Sequence, residues 1–117
     1  MKRIALLLSL ALVACGASEP PPNKCEIPPS YEKDLRPELV EAKCIQCHSE
    51  NLSGLARGGA PEELNFDRYD LLESVRREFV DAITSGREPP RSAGVELEVN
   101  EEERALVVLW QSCGYLP

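Results

Sequence analysis

Apolar positions along this chain fall into four main runs, three of them at helical spacing. The first, Ile4 to Val13, is apolar except for Ser9 and follows Lys2 and Arg3. A bilayer span takes about 20 residues, so this run is too short to cross one comfortably, and its basic flank and small Ala14 fit an export signal. In the second run Leu39, Val40, Cys44 and Cys47 recur at helical intervals. Pro37 suits the first turn of that helix, which is expected to end near His48. The third run, Val75, Phe79, Val80 and Ile83, predicts an amphipathic helix stopped by Gly86. The fourth, Leu106, Val107, Leu109, Trp110 and Cys113, follows a capping-box-like Asn100 and Glu103 and ends at Gly114.

Between these runs lie loops. Glu26 to Ser30, with Pro28-Pro29, reads as an extended lead-in. Gly54, Gly58, Gly59 and Pro61 mark a long loop, and Phe66, Tyr69 and Leu72 suggest a short helical turn after it. Glu88-Pro89-Pro90 opens another loop. There is no internal repeat, and the expected class is all-α with long connections. Phe79 and Trp110 are expected in the core. Glu101-Glu102-Glu103 reads as charge complementing a helix N-terminus rather than a metal site, and Arg76-Arg77 as a solvated face.

The N-terminus adds chemistry to this outline. Leu12-Val13-Ala14-Cys15 resembles the lipobox of bacterial lipoproteins, in which the cysteine receives a diacylglycerol and the chain is cut just before it. An ordinary secretory signal is the alternative. Gly16 to Asn23, with three consecutive prolines, then reads as a tether that builds no core. Cleavage removes 14 of 117 residues and leaves 103, and the loss of Lys2 and Arg3 takes the formal charge from −7 to −9. Such acidity argues against nucleic acid and anionic headgroups as partners. It suits docking to a basic patch, or solubility alone.

Five cysteines remain to be assigned: Cys15, Cys25, Cys44, Cys47 and Cys113. With Cys15 given to lipid and Cys44 and Cys47 to one cluster, Cys25 and Cys113 are left near the two ends of the mature domain. In an exported chain they suggest one bridge, the alternative being two buried thiols. The cluster itself, Cys44-Ile45-Gln46-Cys47-His48, holds the only histidine. A closed zinc site needs about four ligands, and the chain offers no second histidine to complete one. A thioredoxin-like pair needs a βαβ setting, and no strand pattern surrounds the cluster. Cys-x-x-Cys-His is also the attachment signature of c-type haem. On a helix i, i+3 and i+4 share a face, so both thiols could meet the haem vinyl groups while the imidazole reaches the iron from the same side.

Through "EAKCIQCHSE", the loop "REPP" and the final helix "EERALVVLWQSCG", roughly residues 35 to 116 resemble the cytochrome c family, and more narrowly the small monohaem domains of bacterial lipoproteins. The resemblance implies a cytochrome c-like fold, three to four short helices around one covalent haem c, with the first and last helices crossing beside it. Residues 1–14 would then be the signal, 15–30 the lipidated tether and lead-in, and 31–117 the haem domain. Cys44 and Cys47 match the thioether positions and His48 the proximal axial ligand. The second ring nitrogen of His48 is expected to donate to a backbone carbonyl of the following loop, with Pro61 as the candidate.

The resemblance breaks on the distal side. Many such domains place a methionine ligand at the Pro-Pro loop, where this chain has Glu88. The only methionine is Met1, and the single histidine is already used. The distal position is then open, or held by water, Glu88, Tyr69, Lys24, Lys33 or another molecule. The family implies a membrane-tethered electron carrier of the bacterial envelope, facing the periplasm or in the outer membrane, rather than an enzyme. An open-iron protein that binds or senses a small ligand or peroxide is the second expectation, and a lipoprotein with a structural haem the third.

Overall fold

Ser30 opens the first helix. Its hydroxyl accepts from the Lys33 N–H at 3.3 Å, and the Asp34 carboxylate accepts from the Ser30 N–H at 2.7 Å, a reciprocal cap that satisfies the first turn. The computed structural model describes residues 23–117; Cys15 and the apolar run before it lie outside the described residues. The helix spans Tyr31–Cys44 with π winding. Leu35 N–H reaches the Ser30 carbonyl (3.2 Å) and Ile45 N–H the Val40 carbonyl (3.1 Å), each five residues back. Pro37 therefore lies inside the helix and does not start it. The cap at Ser30 fixes an earlier start, and a wider turn tolerates a residue with no N–H to give. Tyr31, Leu35, Leu39 and Val40 face the core, fully buried.

This helix stops at Cys44, short of the expected His48. Hydrogen bonds from Cys47 N–H (3.1 Å) and His48 N–H (2.8 Å) to the Cys44 carbonyl carry one further turn, so the cluster keeps helical proximity. Helices α1 (Tyr69–Glu73), α2 (Arg76–Thr84) and α3 (Glu101–Ser112) follow, with 3-10 turns at Gly54–Arg57, Arg91–Ala93 and Val95–Leu97. Among the described residues there is no strand beyond a single bridge, Ser30 to Leu116. The described chain is all-α, as its apolar periodicity predicts.

Helix α3 begins at the capping box read from the sequence. Asn100 Oδ1 accepts from Glu103 N–H (2.9 Å), and Glu103 Oε2 accepts from Asn100 N–H (2.7 Å). The same carboxylate takes the Lys43 ammonium at 2.6 Å, tying the last helix to the residue before Cys44. Helix α3 packs against both the first helix and α2. Trp110 is fully buried at that junction, edge-on to Phe79 and Tyr115, and its indole N–H donates to the Leu116 carbonyl at 2.7 Å. A large ring with its one polar atom satisfied contributes strongly to a small core.

Cys25 and Cys113 form a disulfide across 88 residues, with Cα atoms 5.5 Å apart. It closes nearly the whole described chain, and loop-closure entropy assigns such a link about 4 kcal/mol. Cys25→Ser/Cys113→Ser is expected to lower the unfolding free energy by that order. Denaturant titration of the purified double variant checks this, and an unchanged midpoint rejects a stabilising role.

Candidate functional site

Residues 44–48, 57–66, 75–83 and 87–97 converge on one cavity of about 610 Å³, within the roughly 300–1,000 Å³ range of small-molecule and cofactor sites. Cys44, Cys47, His48 and Glu88 all line it. Its apolar wall includes Phe66, Phe79, Ile83 and Leu97. Tyr69, by contrast, donates its hydroxyl to the Tyr115 carbonyl at 2.7 Å, and Lys24 and Lys33 are exposed; none of the three lines the cavity.

The two thiols are free and differ in setting: Cys44 is buried and Cys47 half-buried. Burial pushes the Cys44 thiol up to about 12, with the Glu103 carboxylate adding to the effect. A neutral, buried thiol is the reverse of the activated thiolate of a Cys-x-x-Cys redox pair. Gly58 approaches this pair closely. A Cβ built there would sit 3.2 Å from Cys47 Sγ, and its φ of +58° suits glycine. Cys25 and Cys113 are bonded to each other and so do not complete a zinc site. Among the described residues no group of three or more His, Cys, Asp or Glu side chains is gathered as a metal ion would need.

His48 is held on three sides. Its N–H returns to Cys44 at 2.8 Å, its carbonyl accepts from Phe66 N–H at 2.9 Å, and its ring stacks on Phe66 with centroids 4.6 Å apart. Nδ1 lies 3.0 Å from the Leu64 carbonyl oxygen. A carbonyl oxygen only accepts, so Nδ1 carries the proton, and in the neutral ring Nε2 then holds the lone pair. The expected carbonyl class is present but the residue is Leu64, not Pro61. The Pro61 carbonyl is taken by Arg57 Nη2 at 2.6 Å and by the Leu64 N–H at 3.1 Å, a turn that leaves the Leu64 carbonyl as the acceptor for His48.

Arg57 is the residue that sequence reasoning misses. It is 2 % exposed and all its N–H groups are spent within the loop. A lone arginine in a Gly-rich loop has no periodicity to reveal it. The loop is anchored further by Asp67, which accepts from Ser49 Oγ (2.6 Å) and Glu50 N–H (2.8 Å), and by Tyr31, whose buried hydroxyl donates to the Phe66 carbonyl. Burial raises the Tyr31 hydroxyl above its ordinary value and keeps it a donor.

Elsewhere along the lining, α2 ends in a Schellman motif. Gly86 N–H donates to Ile83 (3.2 Å) and Arg87 N–H to Ala82 (3.0 Å), with Gly86 at φ +71°. Glu88 N–H also reaches the Ala82 carbonyl, at 3.2 Å. These bonds fix where the chain leaves α2 and place Glu88, an exposed residue, on the cavity lining. No methionine and no second histidine exists among the described residues to share the site.

No family model, curated protein or solved structure matches the chain. Two free thiols, a histidine with its Nε2 lone pair available, an apolar wall and a cavity of cofactor size suit a thioether-linked haem. No helix among the described residues is long and apolar enough to cross a membrane.

Proposed function

We propose that the chain is a c-type cytochrome of cytochrome c-like fold, tethered to a bacterial membrane through a lipid on Cys15, and that it carries single electrons in the cell envelope. One observation carries the reading: the Nδ1 bond to Leu64 leaves His48 Nε2 free, on the same cavity as the free Cys44 and Cys47 thiols. In this reading Cys44 and Cys47 hold the macrocycle covalently and His48 binds the iron. A haem held there supplies one-electron chemistry. The packing of α3 on the first helix supports the fold assignment. Exposed Glu62, Glu63, Glu78 and Glu88 lie on or beside the cavity lining and favour a redox partner with a basic docking patch.

A second reading, an open-iron protein that binds a small ligand, is favoured by the lack of any methionine or second histidine in the described residues. One experiment addresses both. Membrane fractions of cells making the wild type are expected to carry a haem c spectrum, and Cys15→Ser is expected to leave the chain uncleaved or mislocalised. In the reduced protein carbon monoxide is expected to shift the main absorption band, which marks an accessible iron. A membrane fraction without the spectrum contradicts the tethered carrier, and a spectrum indifferent to carbon monoxide contradicts the open site.

A further inference from the structure

Arg57 poses a problem that the binding of a haem by two cysteines and a histidine does not answer. Its guanidinium is buried, and among the described residues no carboxylate pairs with it. Burying an unpaired cation is expensive. The fold meets the cost with neutral acceptors alone: carbonyls of Ser49 (2.7 Å), Leu52 (3.2 Å), Ala60 (3.2 Å), Pro61 (2.6 Å) and Leu64 (3.0 Å), and Asn65 Oδ1 (2.9 Å). An apolar residue with ordinary turn bonds could close this loop without burying a charge. Two of the acceptors show what the charge adds. Ser49 adjoins His48 in sequence, and the Leu64 oxygen that Arg57 Nη2 contacts at 3.0 Å also accepts from His48 Nδ1 at 3.0 Å.

We propose that Arg57 is a positioning residue for His48 that also tunes it: Arg57 fixes the Leu64 carbonyl against Nδ1 and, by drawing on the same oxygen, keeps the imidazole a weak electron donor to the iron. The partner of a ligating histidine's second nitrogen sets that histidine's orientation and basicity. A carboxylate there would strengthen donation. A carbonyl shared with a cation does the opposite, because the oxygen has less electron density to offer Nδ1–H. The buried positive charge acts in the same direction, since it opposes the extra positive charge of ferric iron in a low-dielectric setting. Both effects favour the ferrous state and offset in part the missing thioether ligand. This inference rests on the haem reading above.

The test uses the holoprotein with Arg57→Gln and Arg57→Lys, after solvent extraction has shown the haem still covalent, so that its failure is distinct from failure of the haem reading. Arg57→Gln is expected to shift the ferrous-to-ferric ratio about tenfold toward ferric, about 59 mV for a one-electron couple, and to raise the iron–imidazole stretching frequency of the ferrous protein. Arg57→Lys, which keeps the charge, should recover most of the potential. Unchanged potential and stretching frequency in Arg57→Gln overturn the proposal. If Arg57→Gln fails to mature, nitrogen NMR of the wild-type ferrous carbon monoxide complex decides. A protonated Nδ1 with exchange-protected Arg57 N–H groups supports the proposal, and an imidazolate-like Nδ1 or freely exchanging Arg57 groups overturns it.

Discussion

If the chain is the haem protein proposed, Glu88→Met is expected to give a low-spin, six-coordinate iron, with the weak near-infrared band of sulfur–iron charge transfer. The Schellman turn after α2 and the Glu88 bond to Ala82 fix this loop, and Glu88 shares the cavity with His48. A thioether stabilises ferrous iron, whereas water or carboxylate favours ferric. The wild-type potential should therefore be low for a cytochrome c and the variant's higher, by a margin on the order of a hundred millivolts or more within the about 0.8 V that axial ligands span. Glu88→Ala separates the two distal arrangements: loss of a carboxylate ligand changes the ferric spectrum, while an already open site barely responds. If neither substitution alters spectrum or potential, residue 88 does not stand near the iron.

Cys44→Ala/Cys47→Ala is expected to abolish covalent haem altogether, and each single substitution to leave one thioether. The double change removes two thiols from the wall of a cavity of about 610 Å³. In a chain this small a bound macrocycle supplies much of the core, so the double variant should also lose cooperative unfolding. Calorimetry beside a haem stain of the denatured chain reads both effects. A double variant that still carries haem after denaturation would remove Cys44 and Cys47 from the site.

Helix α3 is legible in the sequence because its signals are local: Asn100 and Glu103 make the capping box, and Val107 and Trp110 keep helical spacing into the core. Gly86 is legible for the same reason, as the left-handed residue that ends α2. The Cys25–Cys113 pair follows from elimination once the other cysteines have roles. The first helix is harder. Pro37 resembles a start, while the true start depends on Ser30 and Asp34 directly after two prolines that read as extended chain. Which carbonyl meets His48 depends on the path of an irregular loop, and that path is set by Arg57 through contacts with six residues. No spacing rule encodes such a fan of backbone bonds. The Cys44–His48 cluster is legible as chemistry, and the resemblance already sets Glu88 near it; the fold puts both on one cavity lining.

Extraction of the denatured wild-type holoprotein with acidic acetone tests the central claim most directly. Thioether bonds from Cys44 and Cys47 would survive that treatment, whereas axial ligation through His48 alone would not. The expected result is colour retained on the polypeptide, with an intact mass increased by one haem. Colour released into the solvent, or a polypeptide of unmodified mass, would contradict the account.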